Sequence, residues 1–217
     1  MRLLLIRHGQ TPSNVGGILD TRIPGPGLTP LGQAQAEAVP ATLTGVPIDA
    51  IYASVQVRSQ ITAAPLAADR ALEVQIREGI REISSGDYEM RSDRASVEEY
   101  LEVMVAWVDG DLEAQLPGGE TAADMLARFD EVVAEAYEAG HSSVALVSHG
   151  AAIRTWSGSR AHNLTAGFIG ENPLHNTGIV ILEGSPDDGW TALTYMGEAV
   201  GGAGVDDAAA GPAAETL

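Results

Sequence analysis

The chain contains neither cysteine nor lysine, and aromatic side chains make up only 5% of its 217 residues. The lack of cysteine excludes disulfides, iron–sulfur clusters, thiolate zinc sites and thiol nucleophiles. Because aromatic residues are scarce, the core must be built from Ala, Val, Leu and Ile, and an apolar share of 45% is enough for a folded rather than a disordered chain. The length suits one large domain or two small ones.

The chain also lacks long apolar runs and has few basic residues. The four apolar residues from Leu3 to Ile6 are too few for a signal-peptide core or a membrane span, so we expect a soluble, cytoplasmic protein. Acidic residues outnumber basic ones by 30 to 12, which gives a formal net charge of −18. Because phosphate backbones and anionic lipids repel such a chain, we expect no nucleic-acid partner and no membrane partner.

Short apolar runs alternate with longer amphipathic segments along the chain. The runs predict strands at Leu3–Ile6, Asp49–Ser54, Leu72–Ile76, Val144–Ser148, Asn176–Glu183 and Thr191–Met196. Helices are predicted from Pro30 to a kink or end at Pro40, over Val57–Asp69 with a break near Pro65, between Val97 and Val108, from Thr121 to Gly140, and after Gly150 through Trp156. This alternation predicts an α/β fold in which a mostly parallel sheet lies between helices.

The chain shows no linker of the kind that separates two domains, so we expect a single domain over residues 1–200. Residues 77–119 are less regular and are predicted to form inserted or lid elements packed on the main sheet. Residues 201–217 are rich in glycine, alanine and acids, and this composition predicts a disordered tail.

Two of the five histidines follow predicted buried strands. His8 and His149 each stand at a strand end, and a glycine follows each of them. Parallel strands end at one edge of a sheet, where open α/β sheets bind ligands. A helix that begins near Gly150 would direct its free N–H groups to this edge, which suits an anion. Arg7 and Arg58 follow the first and second strands, and their guanidinium groups match phosphate oxygens.

Several short motifs extend this pattern along the chain. They are Arg7 to Asn14 (RHGQTPSN), Leu28 to Ala36, Arg58 after Ser54, Arg81 to Ile83, Gly86 to Glu89, Pro117 to Thr121, Val147 to Gly150, and Asn176-Thr177. From residue 2 to about residue 182, the chain resembles the histidine phosphatase superfamily, in the branch that contains the phosphoglycerate mutases and related phosphatases. The resemblance implies a three-layer α/β/α sandwich of the phosphoglycerate mutase-like type.

The resemblance also implies roles for individual side chains. His8 would be the nucleophile that becomes phosphohistidine, Glu82 would donate a proton, Arg7, Arg58 and His149 would bind the phosphoryl group, and Asn14 would touch it. We place Gly150 with these substrate-binding residues. The implied activity is that of a metal-independent phosphatase, with no cofactor, that acts on a small phosphorylated substrate. Dimers are frequent in the family, so the resemblance admits a homodimer.

Elementary chemistry supports these roles. Histidine attacks phosphorus only when it is neutral, and cationic neighbours lower its pKa. The same cations neutralise the phosphoryl oxygens during transfer, which makes a metal ion redundant. A carboxyl beside a phosphate dianion has a raised pKa, so Glu82 can hold a proton for the leaving alkoxide. Asp87, Glu89 and Glu78 are rival candidates for this acid.

Three alternatives stay open. A mutase would return the phosphoryl group to a second hydroxyl, although the chain is short between Glu82 and Gly119 for the closing insertion of the glycolytic mutases. A non-catalytic module would bind a phosphorylated ligand in the same pocket, but binding alone needs neither a nucleophile nor an acid. A dinuclear metal hydrolase would use His8, His149 and Glu82 as ligands and would lose activity with chelators.

The chain departs from the family pattern at a few positions. Asp20-Thr21 stands near the place where the family often has Gln-Gly, and Met90 stands where a glycine commonly follows the glutamate. Ser59 and Ile61 replace the more usual Ala and Thr after the pocket arginine. We expect these changes to affect specificity and to leave the core chemistry untouched. Glu120 is interpreted as a helix N-terminal charge, and His175 is a further candidate for the pocket wall.

Overall fold

The computed structural model describes residues 1–197 and 211–212. Apart from Gly211 and Pro212, the predicted tail 201–217 lies outside the described residues. The strands are β1 (Arg2–Arg7), β2 (Ala50–Ser54), β3 (Val74–Arg77), β4 (Ser143–Ser148), β5 (Ile179–Ser185) and β6 (Gly189–Met196). The helices are α1 (Pro12–Val15), α2 (Pro30–Thr42), α3 (Val57–Arg70), α4 (Arg94–Asp109), α5 (Ala122–Glu138), α6 (Gly150–Arg160) and α7 (Ala166–Glu171).

The six strands form one sheet in the order β3-β2-β4-β1-β5-β6. The first four in this order are parallel to one another, whereas β5 and β6 are antiparallel to their neighbours. The prediction of a mostly parallel sheet is therefore confirmed. Because β1 lies beside β4, with Arg7 opposite Ser148, the two strands end at the same edge of the sheet.

Both faces of the sheet are covered by helices. On β1, Leu3 and Leu5 pack into one core together with α4, α5 and α6, whereas Leu4 and Ile6 pack into a second core together with α2 and α3. Successive side chains of a strand point to opposite faces, so a strand with cores on both sides must be apolar at every position. This burial explains the continuous run LLLI and confirms the three-layer α/β/α sandwich.

Neither helix stops at its internal proline: α2 does not end at Pro40, and the break predicted near Pro65 is absent. Pro40 lies inside α2, which continues to Thr42, and Pro65 lies inside α3, which continues to Arg70. Each proline removes one backbone donor, but both helices bury an apolar face against the sheet, and this packing outweighs the loss. The short helix α7 was missing from the prediction, and its six residues (AGFIGE) include two glycines.

The segment predicted to be an insertion, residues 77–119, contributes to one helical layer. Its main element, α4, buries Val97, Leu101 and Met104 in the core shared with α5 and α6. Two short 3-10 turns, Glu78–Ile80 and Gly86–Tyr88, precede α4. Within residues 1–197 and 211–212, no helix has both the length and the apolarity needed to cross a bilayer.

Candidate active site

The two strand-end histidines meet at one edge of the sheet, as expected. The ring centroids of His8 and His149 are 5.1 Å apart, and the backbone N–H of His8 donates to the carbonyl of Ser148 at 3.0 Å. His8 is 3% exposed and His149 is fully buried. The register of β1 against β4 thus brings together residues that are 141 positions apart in the sequence (149 − 8).

The His8 ring is held in one tautomer. Its Nδ1 lies 2.8 Å from the carbonyl oxygen of Gly9, and because a carbonyl only accepts hydrogen bonds, Nδ1 carries the proton. In the neutral ring, Nε2 then keeps its lone pair. Burial, followed by the charges of Arg58 and Arg7, lowers the pKa of His8 well below 6.5. At neutral pH the ring is therefore uncharged, with an unprotonated lone pair on Nε2.

The backbone that carries His8 is clamped from two sides. Asn176 Nδ2 donates to the carbonyl of His8 at 2.9 Å, and the N–H of Thr177 donates to the carbonyl of Arg7 at 3.1 Å. A Cβ at Gly9 would lie 2.6 Å from the carbonyl oxygen of Gly32 in α2. The glycine after His8 therefore permits close packing of α2.

Arg58 lies at the start of α3 and joins the histidines to the loop that follows α1. Its Nη2 donates to the carbonyl of Asp20 at 3.2 Å, and its Nε donates to His149 Nδ1 at 3.3 Å. Gly25 has a φ of +69°, and a Cβ at this position would lie 2.6 Å from Arg58 Nη1. The second predicted arginine, Arg7, is 1% exposed and donates to the carbonyl of Leu174.

His149 lies behind the pocket wall and contacts Arg58. Because a guanidinium only donates, His149 Nδ1 must accept from Arg58, and the proton of the neutral ring is on Nε2, 3.3 Å from Ser59 Oγ. Burial and the charge of Arg58 lower the pKa of His149 well below 6.5, so the ring is neutral. Ser59, one of the departures that we expected to leave the core chemistry untouched, thus contacts this ring.

The Glu82 carboxylate occupies the N-terminus of α6. Its Oε1 accepts from the N–H groups of Ile83 and Ala152, both at 2.9 Å, and its Oε2 accepts from Ala151 at 3.3 Å. The helix amides that were expected to face an external anion near Gly150 thus bind a carboxylate of the chain itself. Burial raises the pKa of Glu82 above its ordinary value, although these hydrogen bonds and the charge of Arg58 oppose the rise.

A buried ion pair supports the segment that carries Glu82. Arg128 donates to the carbonyls of Gly79 and Arg81 at 2.6 and 2.8 Å, and its guanidinium pairs with Glu120 at 2.9 Å. The Glu120 carboxylate also accepts from the N–H of Ser84 at 2.9 Å. Burial would raise the pKa of Glu120, but the bonds and charge of Arg128 bring it below its ordinary value. Glu120 therefore positions this segment.

A pocket lies above His8 at this edge of the sheet. It is lined by Arg7, His8, Thr11, Ser13, Asn14, Ile18, Leu19, Asp20, Thr21, Arg58, Glu82, Tyr100 and Pro212. The candidates His149, Gly150 and His175 are not part of this wall. Of the rival acids, Asp87 and Glu89 line an adjoining cleft, and the Glu78 side chain is 73% exposed.

Asn14 reaches the pocket with only part of its amide free. Its Oδ1 accepts from the N–H of Thr11 at 2.9 Å and from Asn176 Nδ2 at 3.3 Å. The amide oxygen therefore stabilises the turn after β1, and Nδ2 is the group that can donate to a ligand. Asp20, which the sequence placed only near the entrance, is part of the wall. Within the part of the chain that the structure describes, no three His, Asp or Glu side chains are grouped as metal ligands.

Comparisons with known proteins agree with this geometry. An adenosylcobalamin/alpha-ribazole phosphatase from Escherichia coli is 36% identical over 150 residues, which cover 69% of this chain and 73% of that protein. PE_PGRS11, a PE-PGRS family protein of Mycobacterium tuberculosis, is 32% identical over 94% of this chain, but the chain spans only 38% of its length. A solved mycobacterial glucosyl-3-phosphoglycerate phosphatase with bound VO3 is 27% identical, with a TM-score of 0.74 over 90% of this chain and 98% of that chain.

The named phosphatases among these relatives support the predicted enzyme class, the phosphoric monoester hydrolases. The family model for branch 1 of the histidine phosphatase superfamily matches residues 3–196, which is most of the chain. The chain therefore belongs to the histidine phosphatase superfamily, branch 1.

Proposed function

We propose that this chain hydrolyses a small phosphomonoester without a metal ion, through a phosphohistidine on His8. The observation that carries the proposal is the hydrogen bond from His8 Nδ1–H to the Gly9 carbonyl, which leaves Nε2 as a free nucleophile. Arg7 and Arg58 line the same pocket and supply positive charge where a phosphoryl group would bind. When Nε2 attacks phosphorus, the two arginines therefore stabilise the negative charge on the phosphoryl oxygens.

The first chemical step transfers the phosphoryl group to the enzyme. His8 Nε2 forms a bond to phosphorus while the bond between phosphorus and the ester oxygen breaks. Glu82 gives its proton to the leaving alkoxide, which departs as an alcohol. Two features favour protonated Glu82 in the substrate complex. Burial already raises its pKa, and a phosphate dianion nearby would raise it further.

The second step releases inorganic phosphate. The Glu82 carboxylate formed in the first step takes a proton from a water molecule, and the oxygen of that water attacks the phosphorus of phosphohistidine. The bond between phosphorus and Nε2 breaks, which returns His8 to its neutral tautomer with the proton still on Nδ1. During both steps the Gly9 carbonyl, 2.8 Å from Nδ1, stabilises the positive charge on the phosphorylated ring.

The surrounding residues have distinct parts in this scheme. Arg7 and Arg58 bind the phosphoryl oxygens, and Asn14 Nδ2 donates a further hydrogen bond from the wall. His149 acts through Arg58, since its Nδ1 accepts the Nε–H of that guanidinium. The matched relatives are named as phosphatases of organic phosphates, which supports a small phosphorylated substrate.

The decisive experiment traps the intermediate. The protein is mixed with a ³²P-labelled phosphomonoester and quenched within milliseconds, and the label on the protein is tested for loss in acid and survival in alkali. We expect an acid-labile label that is absent from His8→Ala, together with release of phosphate to water that is insensitive to EDTA.

Each other result contradicts the proposal in its own way. Loss of activity with EDTA would indicate a metal hydrolase. Transfer of the label to a second hydroxyl, dependent on a bisphosphorylated primer, would indicate a mutase. Tight phosphate binding with no label on His8 and no turnover would indicate a binding module.

A further inference from the structure

One wall of the pocket carries a negative charge opposite the cationic end. The Asp20 side chain is 6% exposed and lies in the wall with Arg7, His8 and Arg58. Its Oδ2 accepts from Ser13 Oγ at 2.7 Å, and its carbonyl accepts from Arg58 Nη2 at 3.2 Å, so both ends of the residue are fixed. Within residues 1–197 and 211–212, no group donates a hydrogen bond to its Oδ1.

The charge of Asp20 is only partly balanced. The nearest cation is Arg22, whose Nε lies 3.7 Å from Asp20 Oδ1, beyond hydrogen-bond distance, and 3.6 Å from Glu89. Two carboxylates thus share one guanidinium, and the Arg22 side chain is 58% exposed, so solvent screens it. Arg58 lies close enough for its charge to interact with that of Asp20, but a bound phosphoryl group engages the same arginine. Among the described residues, no cation therefore neutralises the Asp20 carboxylate through a direct hydrogen bond to its Oδ1.

A buried carboxylate with spare acceptor capacity discriminates between ligands by charge. A hydroxyl or ammonium group beside it gains a charge-assisted hydrogen bond or an ion pair. A carboxylate in the same place is repelled, and the low dielectric of a buried site strengthens that repulsion.

We propose that Asp20 is a specificity-determining residue, which selects phosphomonoesters whose alcohol carries a hydroxyl or ammonium group next to the ester and rejects those that carry a carboxylate there. The inference rests on the proposed phosphatase function and names the substrate class for the same pocket. Phosphates of polyols and amino alcohols fit this class, and phosphates of short hydroxy acids do not.

The test uses four phosphate esters that share a two-carbon chain and differ only at its end. These are 2-aminoethyl, 2-hydroxyethyl, propyl and 2-carboxyethyl phosphate. For the wild-type protein we expect kcat/KM to be roughly 10- to 100-fold higher for the amino and hydroxy esters than for the propyl ester, as one charge-assisted hydrogen bond provides. The carboxy ester should be at least about tenfold poorer than the propyl ester.

Two variants locate the source of the preference. Asp20→Asn should bring the ratio of kcat/KM for the amino ester to that for the carboxy ester close to one, because the charge is lost while the shape is kept. Asp69→Asn is the control, since it removes a carboxylate that lies outside the pocket wall and is 50% exposed. Its ratio should equal that of the wild type.

The outcomes separate this inference from the function on which it rests. If no ester is hydrolysed and His8 takes no label, the proposed function fails. If the wild type hydrolyses the esters but treats the amino and carboxy forms alike, the specificity role is overturned, and this result does not depend on any variant folding. A fall in all four rates by the same factor in Asp20→Asn would also overturn it, because it would assign Asp20 to a step common to every substrate.

Discussion

The floor of the pocket and its rim are built in different ways. The floor comprises Arg7, His8, Arg58 and Glu82, with His149 behind it, and the rim comprises residues 18–25 and 84–90. Every floor side chain is buried and bonded to main chain or to another floor residue. The rim consists of loops and exposes large apolar side chains at their ends, with Ile23 53% and Met90 42% exposed.

The two rim loops nevertheless hold one another. The N–H and hydroxyl of Thr21 both donate to the carboxylate of Glu89. The N–H of Met90 donates to the carbonyl of Leu19, and the N–H of Leu19 donates to the carbonyl of Arg91. These hydrogen bonds therefore join the two rim loops to each other. In the function proposed above, the floor performs the phosphoryl chemistry, and Asp20 at the inner side of the rim selects the alcohol.

Loss of the nucleophile should produce the largest effect and test the floor directly. His8→Ala should lower kcat for phosphate release by at least about 10⁴-fold, because no other group can form the covalent intermediate. Steady-state phosphate release measures this loss. His141→Ala, which changes a histidine outside the pocket, is the control and should keep wild-type activity. Appreciable turnover by His8→Ala would mean that the floor works by another chemistry.

Ionisation of Glu82, the proposed acid, should set one limb of the pH profile of kcat/KM. The active form needs neutral His8 and protonated Glu82. Because the pKa of His8 is lowered and that of Glu82 is raised, the acid limb of kcat/KM should lie below pH 6.5, and the alkaline limb should report Glu82. Glu82→Gln should lower kcat roughly 10²- to 10³-fold and abolish the alkaline limb.

The same variant should affect stability in the opposite direction. The folded protein raises the pKa of Glu82, so its ionisation costs folding free energy as the pH rises through that pKa. When the buffer is changed from acidic to alkaline, the melting temperature of the wild type should therefore fall relative to that of Glu82→Gln. A parallel fall in activity and stability, with an unchanged alkaline limb, would contradict the assignment of Glu82 as the acid.

The ion pair between Arg128 and Glu120, behind the floor, should contribute more to the free energy of unfolding than an exposed ion pair does. Glu120→Gln leaves Arg128 with an unpaired charge at a site where both side chains are largely buried, and it should cost about 3 kcal/mol in the free energy of unfolding. Glu135→Gln breaks a pair with Arg77 that is about one-third to two-fifths exposed, and it should cost less than about 1 kcal/mol.

Urea denaturation measures this contrast. Because the pKa of Glu120 is lowered in the folded state, its stabilisation is complete above its unfolded pKa. The stabilisation should disappear as the pH falls through the folded pKa. If both variants lost the same free energy of unfolding at neutral pH, the buried Arg128–Glu120 pair would stabilise the protein no more than the exposed pair does.

A smaller effect should appear where rim and floor touch. Gly25→Ala adds a methyl group against Arg58 Nη1 and should lower kcat/KM about tenfold by moving that guanidinium. Gly45→Ala is the matched control, because Gly45 also has a positive φ, of +78°, but nothing lies within 4 Å of the added Cβ. Both variants should lose roughly 1 kcal/mol of stability from backbone strain, and only the first should lose activity.

The strands and the two strand-end histidines were predictable because their signals are local. A run such as LLLI is apolar at every position only when both faces are buried, and a polar motif directly after it must lie at the edge of the sheet. The limits of helices were less accessible, since the cost of Pro40 and Pro65 is outweighed by packing against β-strands remote in sequence. The role of Glu120 was missed for the same reason, because its partner Arg128 and the Ser84 amide lie on separate segments.

The sequence by itself determined which chemical groups the floor contains and which strands they follow, and hence the proposal of which group attacks, which donates a proton and which bind a phosphoryl group. Only the tertiary structure decided how these groups are bonded, because hydrogen bonds join atoms that the chain separates by many residues. It placed the Glu82 carboxylate at the N-terminus of α6, put His149 behind Arg58, and brought Asp20 into the wall. The charge and tautomer of each group depend on burial and neighbours, which exist only in the folded chain.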